Sequence, residues 1–239
     1  MIKCNTNRSN LSSDLNHICI ENENIPFSDK ARNLGVYFDS KLSMSYQVNN
    51  LCRIMYLELR RIKQMSPFLK QSNLKTLISA FVFSRLDYCN ALLYGLPNDT
   101  LCKLQKIQNN AARMILKKKK RDHVTPMLRQ LHWLPVEARI KYKVATLCYK
   151  CKFQQAPQYL YELIVTHAPS LNLRSRNKAL LSVPCRANKK TSERAFVHYA
   201  PVVWNSLPLD LRQCSSLDSF KRGLKTYLFT MHLSVDFSS

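Results

Sequence analysis

The sequence predicts a mainly α-helical protein with one small β-hairpin near its N-terminus, and three observations lead there. From Val48 onward, apolar residues recur at three-and-four spacing over most of the chain. Period-two alternation is confined to Ile18 and Ile20, then Leu34, Val36 and Phe38. Only three glycines occur in 239 residues, too few for a turn-rich all-β design or for a glycine-rich phosphate loop.

Taken in order, residues 1–16 are polar and rich in Asn and Ser, and form a loose end. The two alternating runs within 17–40 pair as the hairpin, with ENENIPFSDKARN as a long turn between them. Ser43 or Ser45 caps a helix whose inner face is Val48, Leu51, Cys52, Met55, Leu59 and Ile62 and whose outer face carries Arg53, Arg60, Arg61 and Lys63. It stops before Pro67. Ser72 or Asn73 caps an apolar core helix over 74–86, which residues 88–94 prolong until Gly95-Leu96-Pro97 ends it. Asn98 or Asp99 opens the next helix, with Leu101, Leu104, Ile107, Gln108, Ala111, Ala112, Ile115 and Leu116 as its stripe. Thr125-Pro126 starts a short helix that breaks at Pro135, and residues 136–153 form another through Ile140, Val144, Leu147, Cys148 and Cys151. Pro157 starts a short helix over 158–165, and 166–190 reads as a basic loop around a strand at 179–183. Thr191 or Ser192 opens a segment packed through Ala195, Phe196, Tyr199, Val203 and Trp204, and Ser215 or Ser216 caps the last helix, through Leu217, Phe220, Leu224, Leu228 and Phe229.

A hydrophobic content of 46% suits one good core or two small ones, and the charge is the outlier: 37 Lys plus Arg against 15 Asp plus Glu, a net of +22. Such a surplus favours a polyanion, nucleic acid first and an anionic membrane surface second. The longest apolar runs are interrupted well short of the roughly 20 residues a spanning helix needs. The N-terminus lacks the apolar core of a secretory signal, so the expected location is intracellular, nucleus or cytoplasm, with the 117–121 cation run as a weak import signal. Nine cysteines, an odd number without a framework, are expected to stay thiols.

Five words stand in fixed order: LGVYFDSKLS (34–43), SRLDYCNALLYGLP (84–97), LQKIQNNAARMIL (104–116), LHWLPVEARIKYK (131–143) and WNSLPLDLR (204–212). Together they resemble the region downstream of the polymerase active site in reverse transcriptases of non-LTR (LINE-type, jockey-like or CR1-like) retrotransposons. The resemblance implies the end of a palm at 17–40, a helical thumb-like domain at 41–120, a helical C-terminal extension at 121–232 and a tail at 233–239. It implies a template–primer duplex gripped by shape and phosphate contacts rather than by base sequence. The polymerase chemistry is absent, because the family's metal-binding Asp-Asp pair occurs nowhere in this sequence. No enzyme activity, cofactor or small-molecule substrate is expected. A palm supplied by another chain would be a second partner beside nucleic acid.

Other chemistry finds little support. Cys148 and Cys151 with His132, His167 or Cys185 lack the second paired motif that a zinc site requires. Cys89 or Cys185 with His123 or His198 has no nucleophile motif around it. Asp87 reads as a structural acid beside Arg85 or a neighbouring cation, His132 as a packing residue, and Trp204 as a core anchor with Asn205 satisfying backbone. The 117–121 run at a helix C-terminus also suits the helix dipole, which would make it structural. The basic surface is the functional signal. The nominated nucleic-acid contacts are Arg60, Arg61, Lys63, Lys103, Lys106, Arg113, Lys117, Lys118, Lys119, Lys120 and Arg121, with Arg174, Arg176, Lys189 and Lys190 as a second patch, and Tyr56, Tyr142 and Tyr149 interleaved for stacking. The expected function is a catalytically inactive, nucleic-acid-binding fragment of a reverse transcriptase. The alternatives are a domesticated protein-interaction module and a translated relic without a selected role.

Overall fold

The computed structural model describes residues 17–20, 23–167, 179–184 and 194–233. Its architecture is mainly helical with a little antiparallel β-structure at the N-terminal end. The strands pair differently from the expectation. β1 (His17–Ile20) pairs with β2 (Glu23–Pro26), and β3 (Lys30–Asn33) pairs with β4 (Val36–Asp39), giving two small hairpins instead of one. Within the segment assigned to a long turn, residues 23–26 and 30–33 are strand, each in a local pairing that needs less loop-closure entropy than joining residues 18 and 38.

Asp39 ends β4 and organises the turn after it. Its carboxylate accepts the backbone N–H groups of Lys41 (3.1 Å), Ser43 (2.8 Å) and Met44 (3.0 Å) and the Ser43 hydroxyl (3.0 Å). Met44, in the left-handed region, occupies the N-cap position of α1 (Ser45–Met65), while Ser43 Oγ, one residue earlier, accepts Ser45 N–H (3.3 Å) and Asp39 holds the approach. Tyr37 N–H donates to Gln47 Oε1 at 2.9 Å, tying the β-hairpin to the first turn of α1.

The expected helix over 74–86 is present with a π-type turn inside it, and its expected prolongation over 88–94 is not helical in the same register. α2 (Gln71–Ile78) passes through a π-type turn at Ser79–Phe83 into α3 (Ser84–Asp87), then Tyr88 turns extended and Asn90–Leu93 forms a 3-10 turn. Lys70 occupies the cap position of α2, with no side-chain capping bond from Ser72 or Asn73. The π-turn adds a residue to the ladder, and Val82, Phe83 and Leu86 remain buried across it.

α4 (Asn98–Leu116) buries Leu104, Ile107, Gln108, Ala111, Ala112 and Ile115, as its stripe predicts. Two glutamines join it to the next elements: Gln108 Nε2 donates to Leu134 O (2.8 Å), and Gln105 Oε1 accepts Val136 N–H (2.8 Å). The turn between α5 (Thr125–Leu131) and α6 (Val136–Lys152) is thereby clamped onto α4. α6 is buried on two sides, Ala138, Ala145 and Tyr149 as well as the predicted Ile140, Val144, Cys148 and Cys151. Its second side meets α8 (Phe196–Asn205) and α10 (Leu217–Leu233), with the short helices α7 (Gln158–Tyr161) and α9 (Leu209–Arg212) at the periphery. Ser216 caps α10 through Ser219 N–H (3.2 Å).

Trp204 and Asn205 fill the roles expected of them. The Trp204 indole is fully buried and donates to Ala179 O (2.9 Å), and Asn205 exchanges two 2.9 Å bonds with the backbone of Leu181. The strand foreseen at 179–183 reduces to a single bridge between Leu181 and Thr166. One buried apolar cluster runs from Val36 to Leu233. No helix among the described residues is long and apolar enough to cross a membrane.

Candidate nucleic-acid interface

On α1, Arg53, Tyr56, Arg60 and Lys63 recur at intervals of three and four and form one ridge; on α4, Asn110, Arg113 and Lys117 do the same. The two helices pack against each other, and both ridges border the same surface groove. Lys103 Nζ donates to Asn49 Oδ1 (3.0 Å) near the start of each helix, while residues 53–66 and 110–120 adjoin near the ends, so the helices run parallel.

Between the ridges lies an open groove of about 990 Å³. Arg53, Arg60, Lys63, Arg113, Lys117, Lys118 and Lys120 line it with Tyr56, Leu57 and Met114, and no acidic side chain lines it among the described residues. Two parallel helix C-termini end here, with partial charges of about −0.5 each, so the dipoles offset roughly one of these cations and leave the rest unmatched. Compensation of helix dipoles is therefore too small to account for the 117–121 run.

The run is wound into a defined turn. Lys117 takes a left-handed conformation (φ 51°), Lys118 N–H bonds back to Arg113 O (3.0 Å), and Asp122 accepts Lys119 N–H (2.8 Å) on its carboxylate. Arg113 Nη2 donates to Asp122 O (3.3 Å), and its buried Nε has no acceptor among the described residues.

Of the nominated cations, Arg60, Lys63, Arg113, Lys117, Lys118 and Lys120 come together in this groove. Lys119 and Arg121 are exposed on the same turn without lining it. Arg61 turns away to pair with Glu58 (3.3 Å), and Lys103 and Lys106 lie nearer the start of α4. Arg174, Arg176, Lys189 and Lys190 lie outside the described residues. Arg53 belongs to the groove although it is not among the cations nominated from sequence, and its three-residue spacing from Tyr56 was the available signal. One aromatic assignment is corrected: Tyr149 is fully buried, stacked on Phe220 at 4.6 Å, with its hydroxyl donating to Cys214 O, and burial raises its pKa. Tyr142 is half-buried against a different cleft, with Arg139 and Lys143.

Asp87 pairs with Arg139 (2.6 Å), whose guanidinium lies over the Phe83 ring, which in turn meets Trp133 edge-on. His132 is exposed, ends α5 in a left-handed conformation and stacks on Phe229. Cys148 and Cys151 are buried in α6, and desolvation pushes the Cys148 thiol far up and Cys151 up to about 11. Both are therefore neutral and poorly nucleophilic at ordinary pH. No group of three or more His, Cys, Asp or Glu side chains among the described residues lies close enough to hold a metal ion.

Comparison of the chain with protein-family models, with curated proteins and with solved structures finds no match.

Proposed function

We propose that this chain binds nucleic acid through the groove between α1 and α4, by phosphate contacts without base-sequence specificity, as the catalytically silent post-active-site part of a non-LTR reverse transcriptase-like protein. One observation carries the proposal: seven cations from two parallel helices and the turn after α4 converge on one groove with no lining carboxylate among the described residues. The resemblance of the five sequence words supports the origin, and the lack of an Asp-Asp pair supports the silence. In the structure those words mostly perform structural roles, through residues such as Asp39, Gln105, Gln108, Trp204 and Asn205. They carry the fold, and the groove carries the activity. An intracellular setting, nucleus or cytoplasm, suits a polyanion-binding surface of this kind.

The test is binding of the purified chain to an RNA–DNA hybrid, a DNA duplex and single strands across a salt series. The logarithm of the affinity falls linearly with the logarithm of salt concentration. Neutralising Lys117, Lys118 and Lys120 together makes that slope shallower by roughly 0.7–0.9 for each phosphate the variant no longer neutralises. A folded protein that binds none of these ligands overturns the proposal in favour of a protein-interaction module.

A further inference from the structure

The groove holds more than charge. Tyr56 is 44% exposed within it and Leu57 46%, and Met114 adds apolar surface from α4. Tyr56 makes no ring–ring or cation–π contact among the described residues, unlike Tyr46, which has both Tyr37 and Lys30 against it. An unstacked ring between Arg53 and Arg60, one helical turn to either side, has the arrangement of a base platform flanked by phosphate ligands.

The geometry decides which form of nucleic acid can use that platform. Packed helices lie about 8–10 Å apart axis to axis, so the furrow between their ridges is too narrow to admit a duplex, which would rest across both ridges. A duplex bridging the two ridges keeps its bases stacked on one another and offers the Tyr56 ring no free base face. A single strand can set its phosphates on the rims and turn an unstacked base inward. The cleft next to the groove shares Ser66, Met114, Lys117 and Lys118 with it and extends around the end of α4 to Gln130 on α5, so the track continues past the helix end.

We infer that the α1–α4 groove is a single-strand site in which a nucleobase stacks on Tyr56 while Arg53, Arg60, Lys63, Arg113 and Lys117 hold the flanking phosphates. This rests on the nucleic-acid function proposed above and narrows it to single-stranded RNA or DNA, in place of the duplex that the sequence resemblance implies.

The experiment compares fluorescein-labelled oligo(U), oligo(dT) and a duplex of equal length by anisotropy at fixed salt. The proteins are wild type, Tyr56→Ala, Tyr56→Phe and the combined Lys117→Gln, Lys118→Gln, Lys120→Gln variant. Single strands bind more tightly than duplex, Tyr56→Ala weakens them by about 5- to 150-fold and Tyr56→Phe restores the affinity. Tyr56→Ala weakens single-strand binding by a larger factor than duplex binding, and Tyr56→Phe, which keeps the ring, separates loss of stacking from any loss of packing. Preferential binding of duplex, or single-strand affinity that Tyr56→Ala does not alter, overturns the inference. If the lysine variant still weakens every ligand in that case, the groove stands as a nucleic-acid site. Absence of binding to all three probes overturns both.

Discussion

Individual residues here accept backbone strain that glycine would relieve. α4, α5 and α6 all end in the same way, with a residue of positive φ whose successor bonds back into the helix: Lys117 (51°), His132 (54°) and Gln154 (53°). The returning bonds run from Lys118 N–H to Arg113 O, from Trp133 N–H to Leu128 O and from Gln155 N–H to Lys150 O. Glycine is the usual occupant because a Cβ is crowded in this conformation, and this chain has only three glycines. Gln154 is exposed and remote from the groove, so Gln154→Gly should raise stability by about 0.5–1 kcal/mol, read as a higher melting temperature with unchanged nucleic-acid affinity. The left-handed turn at Lys117 has a different value, because it directs the cations after α4 back toward α1. Asp39 shows how far a sequence is legible at this scale. A carboxylate followed by Lys41, Ser43 and Met44 is a turn signal of known type, although the serines nearer the helix are the more obvious caps.

At the scale of elements, tertiary contact decides between the options that periodicity leaves open. The stripe on α4 is legible because a single face is buried, and three-and-four spacing records that directly. α6 is harder to read because it is buried on two sides, and the small residues Ala138 and Ala145 were the available sign that a second layer packs there. The π-turn at Ser79–Phe83 is not legible, since Ala80, Phe81, Val82 and Phe83 are four consecutive apolar residues and mark no single face. One junction between elements has a titration consequence. Tyr199 on α8 stacks on Tyr94 at 4.5 Å and donates to Ala91 O at 3.3 Å, joining α8 to the turn after α3. Burial, reinforced by Tyr94 and opposed by Arg194, pushes its hydroxyl up to about 12. The unfolded chain releases that proton near pH 10, so between about pH 10 and 12 the native state holds one more proton and stability falls as pH rises. Tyr199 should contribute about 2–3 kcal/mol to this alkaline loss. Tyr199→Phe should flatten the corresponding part of the pH–stability curve measured by urea denaturation, leaving the share due to the other buried tyrosines.

Across the whole molecule, the surplus of charge on which the proposed binding rests opposes folding. The chain carries +22, yet the described ion pairs are few: Arg61 with Glu58, Arg139 with Asp87 and Lys141 with Glu137. The composition makes this surplus legible, and the two ridges are legible as helical faces. Their meeting is not, because the parallel placement of α1 and α4 depends on the route taken by the residues between them, through a helix with a π-turn and the irregular turns after it. Bringing seven cations to one groove stores repulsion that a polyanion or salt relieves. Raising ionic strength from about 0.01 M to about 0.15 M shortens the screening length from about 30 Å to about 8 Å. Over that range the melting temperature of the free protein should rise while its affinity for nucleic acid falls. The combined Lys117→Gln, Lys118→Gln, Lys120→Gln variant should be more stable than wild type at low salt and should show a smaller rise on adding salt. Equal salt responses of the two proteins would mean that the lysines are too well solvated to repel one another, and the groove would then lose its standing as a concentrated positive field.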